Sequence, residues 1–187
     1  MARSFDATTD DVNFGDITTF DGLTAITVAY WVYLDSSTSE RRHMEKGAVT
    51  AASQVWIVSD INTLGIRFVV GDGTGSKRTV KDTANNVLTT GAWRHIACTW
   101  ETPDTMLIYV DGTSLSLTTI LAESPASLGN TTAAFKLGEN DGATPGFLGK
   151  LAEIGVWSGV RTTAEVAILS DGFSPLFIRP DALVCYW

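Results

Sequence analysis

The feature that most constrains the fold is a series of short segments with alternating apolar residues, separated by turn sequences. In the clearest segment, AITVAYWVYL (25–34), Ile26 and Val28 fall on one face of an extended chain, while Ala29 and Trp31 fall on the other. Because both faces are apolar, this segment predicts a central strand that is covered on both sides. Further strands are predicted for SQVWIVSD (53–60), LGIRFVVGD (64–72), WRHIACTW (93–100), TMLIYVDGT (105–113), AAFKLGE (133–139), GKLAEIGVW (149–157) and ALVCYW (182–187).

One segment has a clear helical pattern. TTAEVAILSDG (162–172) begins with Thr162, which is followed by Glu165 at the spacing of a capping box, and it ends at Asp171 and Gly172. A short helix among many strands predicts an all-β fold, an antiparallel two-sheet β-sandwich of the jelly-roll type with one short helix near the C-terminus. Residues 1–187 are predicted to form a single domain, with a polar, mobile loop at 36–47.

Charge and hydropathy exclude several classes of function. Thirteen Lys and Arg residues against twenty-one Asp and Glu residues give a net charge of −8, so we expect no nucleic-acid binding and no attraction to anionic membranes. No apolar run approaches the roughly 18 residues of a membrane span, so membrane insertion is not expected either. The N-terminal stretch MARSFDATTDDVNF lacks the apolar core of a signal peptide. In that context Cys98 and Cys185 are expected to be free thiols.

The order of several segments carries a family resemblance. FDATTDDVNFGD opens the chain and ITVAYWVYL follows; TTGAWRHIACTWETPDTMLIYVDGT then starts with Trp-x-His and ends with Tyr-Val-Asp-Gly. FKLGENDGATPGFLGKLAEIGVWSGVRTTAEV precedes a last strand, LVCYW. Together they resemble the laminin-G-like branch of the concanavalin-A-like lectin/glucanase superfamily over essentially the whole chain. The resemblance implies two packed antiparallel sheets with the N-terminal and C-terminal strands adjacent.

A catalytic role is not expected for the residues that first suggest one. On a strand, His95 shares a face with Trp93, and Cys98 points the other way, which excludes a Cys–His dyad. The family resemblance makes His95 a recurring structural position, so we expect a packed, hydrogen-bonded histidine. Glycoside hydrolysis usually requires two carboxylates, whereas Glu153 follows Ala152 where the family often has two adjacent acids. We therefore expect a non-catalytic protein, with a glucanase-like hydrolase as a third hypothesis.

A calcium site is the main candidate for a bound ion. Glu139, Asn140 and Asp141 in LGENDG follow a predicted strand, and they resemble the calcium-binding loop of the pentraxins, which share the sandwich. Calcium prefers such carboxylate and amide oxygens. The alternative is an ordinary hairpin turn. The Asp111-Gly112 pair predicts a hairpin turn as well.

The segment FSPLFIRP (173–180) is apolar and contains two prolines, so it cannot pair as a central strand. Either it wraps the sandwich or it supplies an interface. The candidate interface residues are Phe173, Pro175, Leu176 and Phe177.

These expectations define three candidate functions, of which the glucanase-like hydrolase named above is the third. The leading one is a non-catalytic binding or decoration module that contacts a glycan or a host-surface ligand. Single domains of this kind resemble small proteins of tailed bacteriophages, which implies synthesis in the host cytoplasm and display on the virion surface, with a cytoplasmic location as the alternative. The second function is structural, through contacts with virion proteins or with its own copies. The sequence identifies no exposed group of aromatic residues that could stack on sugars, so the expected glycan binding rests on analogy with the family.

Overall fold

The computed structural model describes residues 2–7, 9–47, 54–138 and 146–187, and within them the chain is mostly antiparallel β-structure. The strands are β1 (Arg3–Phe5), β2 (Val12–Asn13), β3 (Ala25–Leu34), β4 (Arg41–Gly47), β5 (Gln54–Ile61), β6 (Gly65–Gly71), β7 (Arg78–Thr83), β8 (Trp93–Glu101), β9 (Thr105–Val110), β10 (Thr113–Ser114), β11 (Leu117–Ala122), β12 (Phe135–Leu137), β13 (Gly149–Ser158) and β14 (Leu183–Tyr186). The helical elements are α1 (Thr163–Ser170) and the 3₁₀ turns Thr18–Phe20 and Pro175–Phe177.

The strands form two seven-stranded sheets. The first sheet has the order β1-β13-β3-β8-β9-β10, with β14 also paired to β13; the second has the order β11-β7-β6-β5-β4-β12-β2. Several edge strands are short, and β2 and β10 have two residues each. The predicted all-β antiparallel sandwich with one short helix near the C-terminus is confirmed. The terminal strands β1 and β14 are not paired with each other but lie one after the other along the same edge of β13.

Alternation along the central strands builds the core between the sheets. Ile26, Val28 and Tyr30 of β3 are fully buried there, facing Trp56 and Phe68 of the second sheet within one apolar cluster. Of the cysteines, Cys98 is buried in this cluster and Cys185 is half-buried, and both thiols are free as predicted.

Helix α1 begins where the sequence predicts. Thr162 is the N-cap, its hydroxyl accepts from the backbone N–H of Glu165, and the Glu165 side chain completes the capping box. Buried Val166 and Leu169 pack on the outer face of the first sheet, against Ala29, Ala97, Tyr109 and Trp157. Among the residues that the structure describes, no helix is long and apolar enough to cross a membrane.

The prediction of a mobile loop at 36–47 is wrong for Arg41–Gly47, which form β4 with every residue buried. His43, expected in that loop, is fully buried: its Nδ1 lies 2.7 Å from the Tyr30 hydroxyl and its Nε2 lies 3.2 Å from Asp60 Oδ1. Asp60 in turn accepts a hydrogen bond from Ser37. The polar side chains of β4 are buried because each one meets a partner, which offsets the loss of water.

Lys46 of β4 requires the strongest compensation among these buried groups, because its charged ammonium is fully buried. The Nζ atom lies 2.5 Å from Asp16 Oδ1 and 3.6 Å from Asp21 Oδ1. It also donates to the backbone carbonyls of Thr131 and Ala133 at 3.3 and 3.1 Å. One cation therefore ties β4 to the segment that precedes β3 and to the segment that precedes β12.

Replacing this cation tests its contribution. Lys46→Met should lower the free energy of unfolding by about 3–5 kcal/mol, because it leaves the carboxylates of Asp16 and Asp21 without their buried counter-charge. Chemical denaturation measures the change. Lys77→Met, which removes an exposed cation from the turn between β6 and β7, is the matched control and should stay within about 0.5 kcal/mol of wild type. Equal stabilities of the two variants would contradict the role of Lys46.

Candidate functional site

The outer face of the first sheet is covered over only part of its length. Helix α1 and the segment around Pro175 lie over one half, where the Trp157 indole N–H donates to the Ile178 carbonyl at 2.7 Å. At Gly155 an added Cβ would lie only 2.8 Å from Pro175 Cβ, so the covering segment approaches β13 closely there. Toward the other end of β3, aromatic side chains reach the surface.

We define the aromatic face as the side chains of Trp31, Tyr33 and Trp93 together with that of the neighbouring Lys150. Tyr33 of β3 lies between Trp93 of β8 and Lys150 of β13 in the strand register. The Tyr33 and Trp93 ring centroids are 5.7 Å apart in an edge-to-face arrangement, and Lys150 Nζ lies 4.3 Å from the Tyr33 centroid. Trp93 is 40% exposed, and the other three side chains are half-buried. Such a surface can stack on an apolar ring face and donate a charged hydrogen bond beside it.

His95 lies next to the aromatic face, paired with Trp31 in register, with the two ring centroids 5.4 Å apart. It is 2% exposed, which confirms the predicted packing. The predicted side-chain hydrogen bond is wrong at Nδ1, because this atom has no partner among the described residues. Burial lowers the pKa of His95 to about 4, and the nearby Asp111 carboxylate offsets this only in part. A neutral, packed imidazole supports its neighbours and is not placed to transfer protons at neutral pH.

The Asp111-Gly112 pair forms the predicted hairpin turn between β9 and β10, with φ values of +48° and +76° that suit an Asp-Gly sequence. Asp111 also binds the start of β8: its carboxylate accepts from the backbone N–H of His95 at 2.9 Å and forms an ion pair with Arg94. The turn therefore fixes the strand that carries Trp93.

A second feature opens where β1 and β14 meet the edge of β13. We call it the edge cleft; it has a volume of about 440 Å³ and is lined by Ala2, Arg3, Glu153, Tyr186 and Trp187. The Tyr186 hydroxyl donates to Glu153 Oε2 at 2.7 Å. Sequence reasoning missed the cleft because its walls come from both ends of the chain, and no local pattern links them.

The candidate calcium ligands Glu139, Asn140 and Asp141 lie outside the described residues. Among the residues that the structure does describe, no group of three or more His, Cys, Asp or Glu side chains is arranged to hold a metal ion.

The four candidate interface residues are divided by the 3₁₀ turn. Pro175 is buried against the first sheet, whereas Phe173, Leu176 and Phe177 are 60%, 49% and 78% exposed.

The outer face of the second sheet carries charged groups that are already paired. Arg67 makes a bidentate ion pair with Asp82, at 2.9 and 2.8 Å, and a further one with Glu40 at 2.9 Å. Arg42 and Glu45 are 2.6 Å apart and buried. Because these charges satisfy one another, this face offers fewer groups to a ligand than the first sheet does.

Comparison with known families agrees with this fold. A model of the Laminin_G_3 family, described as the concanavalin A-like lectin/glucanases superfamily, matches residues 6–167. The chain belongs to this family. A search of curated proteins gave no match.

Solved structures of proteins from several organisms share the fold. A proposed carbohydrate-binding protein from Bacteroides ovatus is 17% identical with a TM-score of 0.68; the match covers 100% of this chain and 50% of that one. The heptameric SAP-like pentraxin of Limulus polyphemus is 15% identical over 90% of this chain and 81% of its own, with a TM-score of 0.61. The CBM40 of the Ruminococcus gnavus IT-sialidase, bound to α2,3-sialyllactose, is 11% identical over 91% and 98%, with a TM-score of 0.62. At these identities the likeness establishes the fold alone.

The neutral state of His95 has a consequence for stability. Between pH 6.5 and 4 the unfolded chain takes up a proton at His95 that the folded chain does not, because the folded pKa is about 4. This contribution is complete above pH 6.5 and is lost as the pH falls, by about 3 kcal/mol in total. Denaturation of wild type and His95→Gln across this range should therefore give a shallower pH dependence for the variant. Parallel curves would contradict it.

Proposed function

We propose that the protein is a non-catalytic glycan-binding module whose ligand stacks on the aromatic face. The observation that carries the proposal is the open half of the first sheet, where Trp93 is 40% exposed beside Tyr33 and Lys150. Exposed aromatic side chains held on a rigid sheet are suited to the apolar faces of sugar rings, and a cation beside them can donate to hydroxyl groups. Trp93 differs from more exposed apolar side chains such as Phe177, because it lies on a sheet beside a second aromatic ring and a cation.

The likeness to carbohydrate-binding structures supports the same proposal. The Bacteroides ovatus protein is a proposed carbohydrate-binding protein, and the Ruminococcus gnavus CBM40 was solved with a bound sialylated sugar. Both share the sandwich of this chain. Folds host unrelated functions, so the aromatic face of this chain, and not the likeness, defines the proposed site.

The proposed function is non-catalytic because the described residues of the edge cleft do not provide the pair of carboxylates that glycoside hydrolysis uses. Glycoside hydrolysis usually uses two carboxylates separated by about 5–10 Å. Of the five described residues that line the edge cleft, Glu153 alone is acidic, and its carboxylate accepts a hydrogen bond from Tyr186. Activity on a panel of polysaccharides, released as reducing sugar, would overturn this part of the proposal.

Truncation of the aromatic face tests the proposed site. Trp93→Ala should weaken glycan binding by about 2 kcal/mol, or roughly thirtyfold in Kd, because it removes the most exposed ring of the aromatic face. A glycan array selects the ligand, and calorimetric titration of that ligand measures the change.

Phe177→Ala is the matched control, since it truncates an aromatic side chain that is 78% exposed on the covering segment. It should bind as wild type does. Equal weakening by both variants would contradict the site, and absence of binding by wild type across the array would contradict the function.

We also propose that calcium binds at Glu139, Asn140 and Asp141, which the sequence motif supports. The titrations are therefore run once with calcium and once with a chelator. An unchanged Kd and melting temperature in the two conditions would overturn the calcium proposal while leaving the aromatic face in place.

The place of display is a further proposal. The resemblance to small proteins of tailed phages supports display on a virion surface, with host-surface glycans as the ligand. Mass spectrometry of purified particles from a producing strain tests it, and exclusive recovery of the protein from the cytoplasmic fraction would overturn it.

The second candidate function is structural, through contacts with virion proteins or with copies of itself. It is favoured by the exposed apolar side chains of Phe173, Leu176 and Phe177. If these residues form a self-contact, light scattering should report an oligomer for wild type and a monomer for Phe177→Ser. A wild-type protein that is monomeric and does not attach to particles would contradict the structural role.

A further inference from the structure

The edge cleft contains an arginine and a glutamate, Arg3 and Glu153, which the aromatic face lacks. These charged groups indicate the chemical class of a ligand. We infer that the edge cleft binds an acidic sugar, a pyranose that bears a carboxylate, as part of the glycan recognised by this module. The inference rests on the proposed glycan-binding function and adds the chemical class of one sugar unit.

The cleft exists because two strands share one edge of β13. Strand β1 pairs with β13 at Gly149–Leu151, and β14 pairs with it at Gly155–Trp157. Between them the register of β13 shifts, with Glu153 in the irregular stretch. Trp187 bonds to Ile154 through both its backbone N–H and C=O, at 2.9 and 2.8 Å, and closes one side of the gap.

Glu153 is held in an unusual conformation at the base of this gap. Its φ is +49°, in the left-handed region that is costly for a residue with a Cβ. The Tyr186 hydroxyl donates to its Oε2 at 2.7 Å. Strained residues of this kind cluster at binding sites, where the surrounding structure maintains them. A carboxylate fixed in this way can accept hydrogen bonds from sugar hydroxyl groups.

Arg3 supplies the opposite charge in the same cleft. Its side chain is exposed, and its guanidinium lies 5.9 Å from the Phe5 ring centroid. The pKa of Asp10 is lowered by hydrogen bonds from the backbone N–H groups of Ala7 and Asp6 and, to a smaller extent, by the charge of Arg3. Lys150 of the aromatic face pairs with Ser4, whereas Arg3 pairs with the buried Leu151, so Arg3 and Lys150 lie on opposite faces of the sheet.

Among the described residues that line the cleft, Arg3 is the only cation, in a protein with a net charge of −8. A guanidinium recognises a carboxylate in a bidentate manner, so Arg3 suits an anionic group of the ligand. The ligand that satisfies both walls has a carboxylate for Arg3 and hydroxyl groups for Glu153, which is the chemistry of an acidic sugar.

The cleft lies along the strand from the aromatic face. Glu153 is separated from Lys150 by a distance of roughly 10 Å at the usual rise of about 3.3 Å per residue. An oligosaccharide that reaches around the edge of the sheet can therefore place a ring on Tyr33 and Trp93 while an acidic unit enters the cleft.

The test compares acidic with matched neutral sugars by calorimetric titration. The acidic probes are sialyllactose and trigalacturonate, and their neutral partners are lactose and galactotriose. Wild type should bind at least one acidic probe about tenfold more tightly than its neutral partner, and the difference should shrink as salt is added. The two acidic probes distinguish a sialic acid from a uronic acid. Equal affinity for acidic and neutral partners would overturn the inference.

Substitution of Arg3 locates the preference. Arg3→Gln should lower the affinity for the preferred acidic probe about tenfold and leave the neutral partner unchanged. Lys77→Gln makes the same change in net charge on the turn of the other sheet and should preserve the preference. Loss of the preference in both variants would mean that it reflects net charge, which overturns the cleft as its source.

A variant of Glu153 separates binding from stability. Because glycine suits the left-handed conformation, Glu153→Gly should keep or raise the melting temperature while it weakens binding of the acidic probe by about tenfold. A variant that folds and binds as wild type does would overturn the role of Glu153.

The outcomes distinguish the two proposals. If Trp93→Ala abolishes binding of every sugar and Arg3→Gln changes nothing, the aromatic face stands and the inference about the cleft fails. If the acidic preference depends on Arg3 and Trp93→Ala has no effect, the cleft stands and the proposed role of the aromatic face fails. If wild type binds none of the four sugars, both fail.

Discussion

The pleat of β3 is the constraint on which the rest of the structure depends. One set of alternate residues, Ile26, Val28 and Tyr30, enters the core, so the other set must face away from it. Helix α1 has only eight residues and, with the turn at Pro175–Phe177, covers Ala29 but not the far end of the strand. The same alternation that builds the core thus leaves Trp31 and Tyr33 on an open surface. The length of the covering elements, more than the choice of residues on β3, decides where a ligand can approach.

The strands with apolar alternation could be predicted from the sequence, and β4 could not. Five of its seven residues are charged or polar, and on composition alone they indicate a surface loop. In the structure Lys46 is buried by oxygens from segments before β3 and before β12, and His43 by Tyr30 and Asp60. Burial of a charge depends on partners that are distant in the sequence. A pattern within a window of residues contains no information about them.

The candidate sites likewise differ in how far the sequence could predict them. Alternation places Trp93 and His95 on one face of β8, but it does not distinguish the buried imidazole from the exposed indole, since both belong to an apolar strand. The capping box at Thr162 and the turn at Asp111 were predictable because their chemistry is local. The edge cleft combines Arg3 with Tyr186, which lie at opposite ends of the chain and meet only through β13.

The short edge strands limit how copies of this domain can contact one another. An exposed, long strand edge presents unpaired N–H and C=O groups to a neighbouring molecule and promotes aggregation. Here β2 and β10 end the sheets with two residues each, and β11, which is longer, is interrupted by a register shift after Thr119. A two-residue edge strand offers few unpaired backbone groups, so β2 and β10 are poor templates for strand addition from a neighbouring copy.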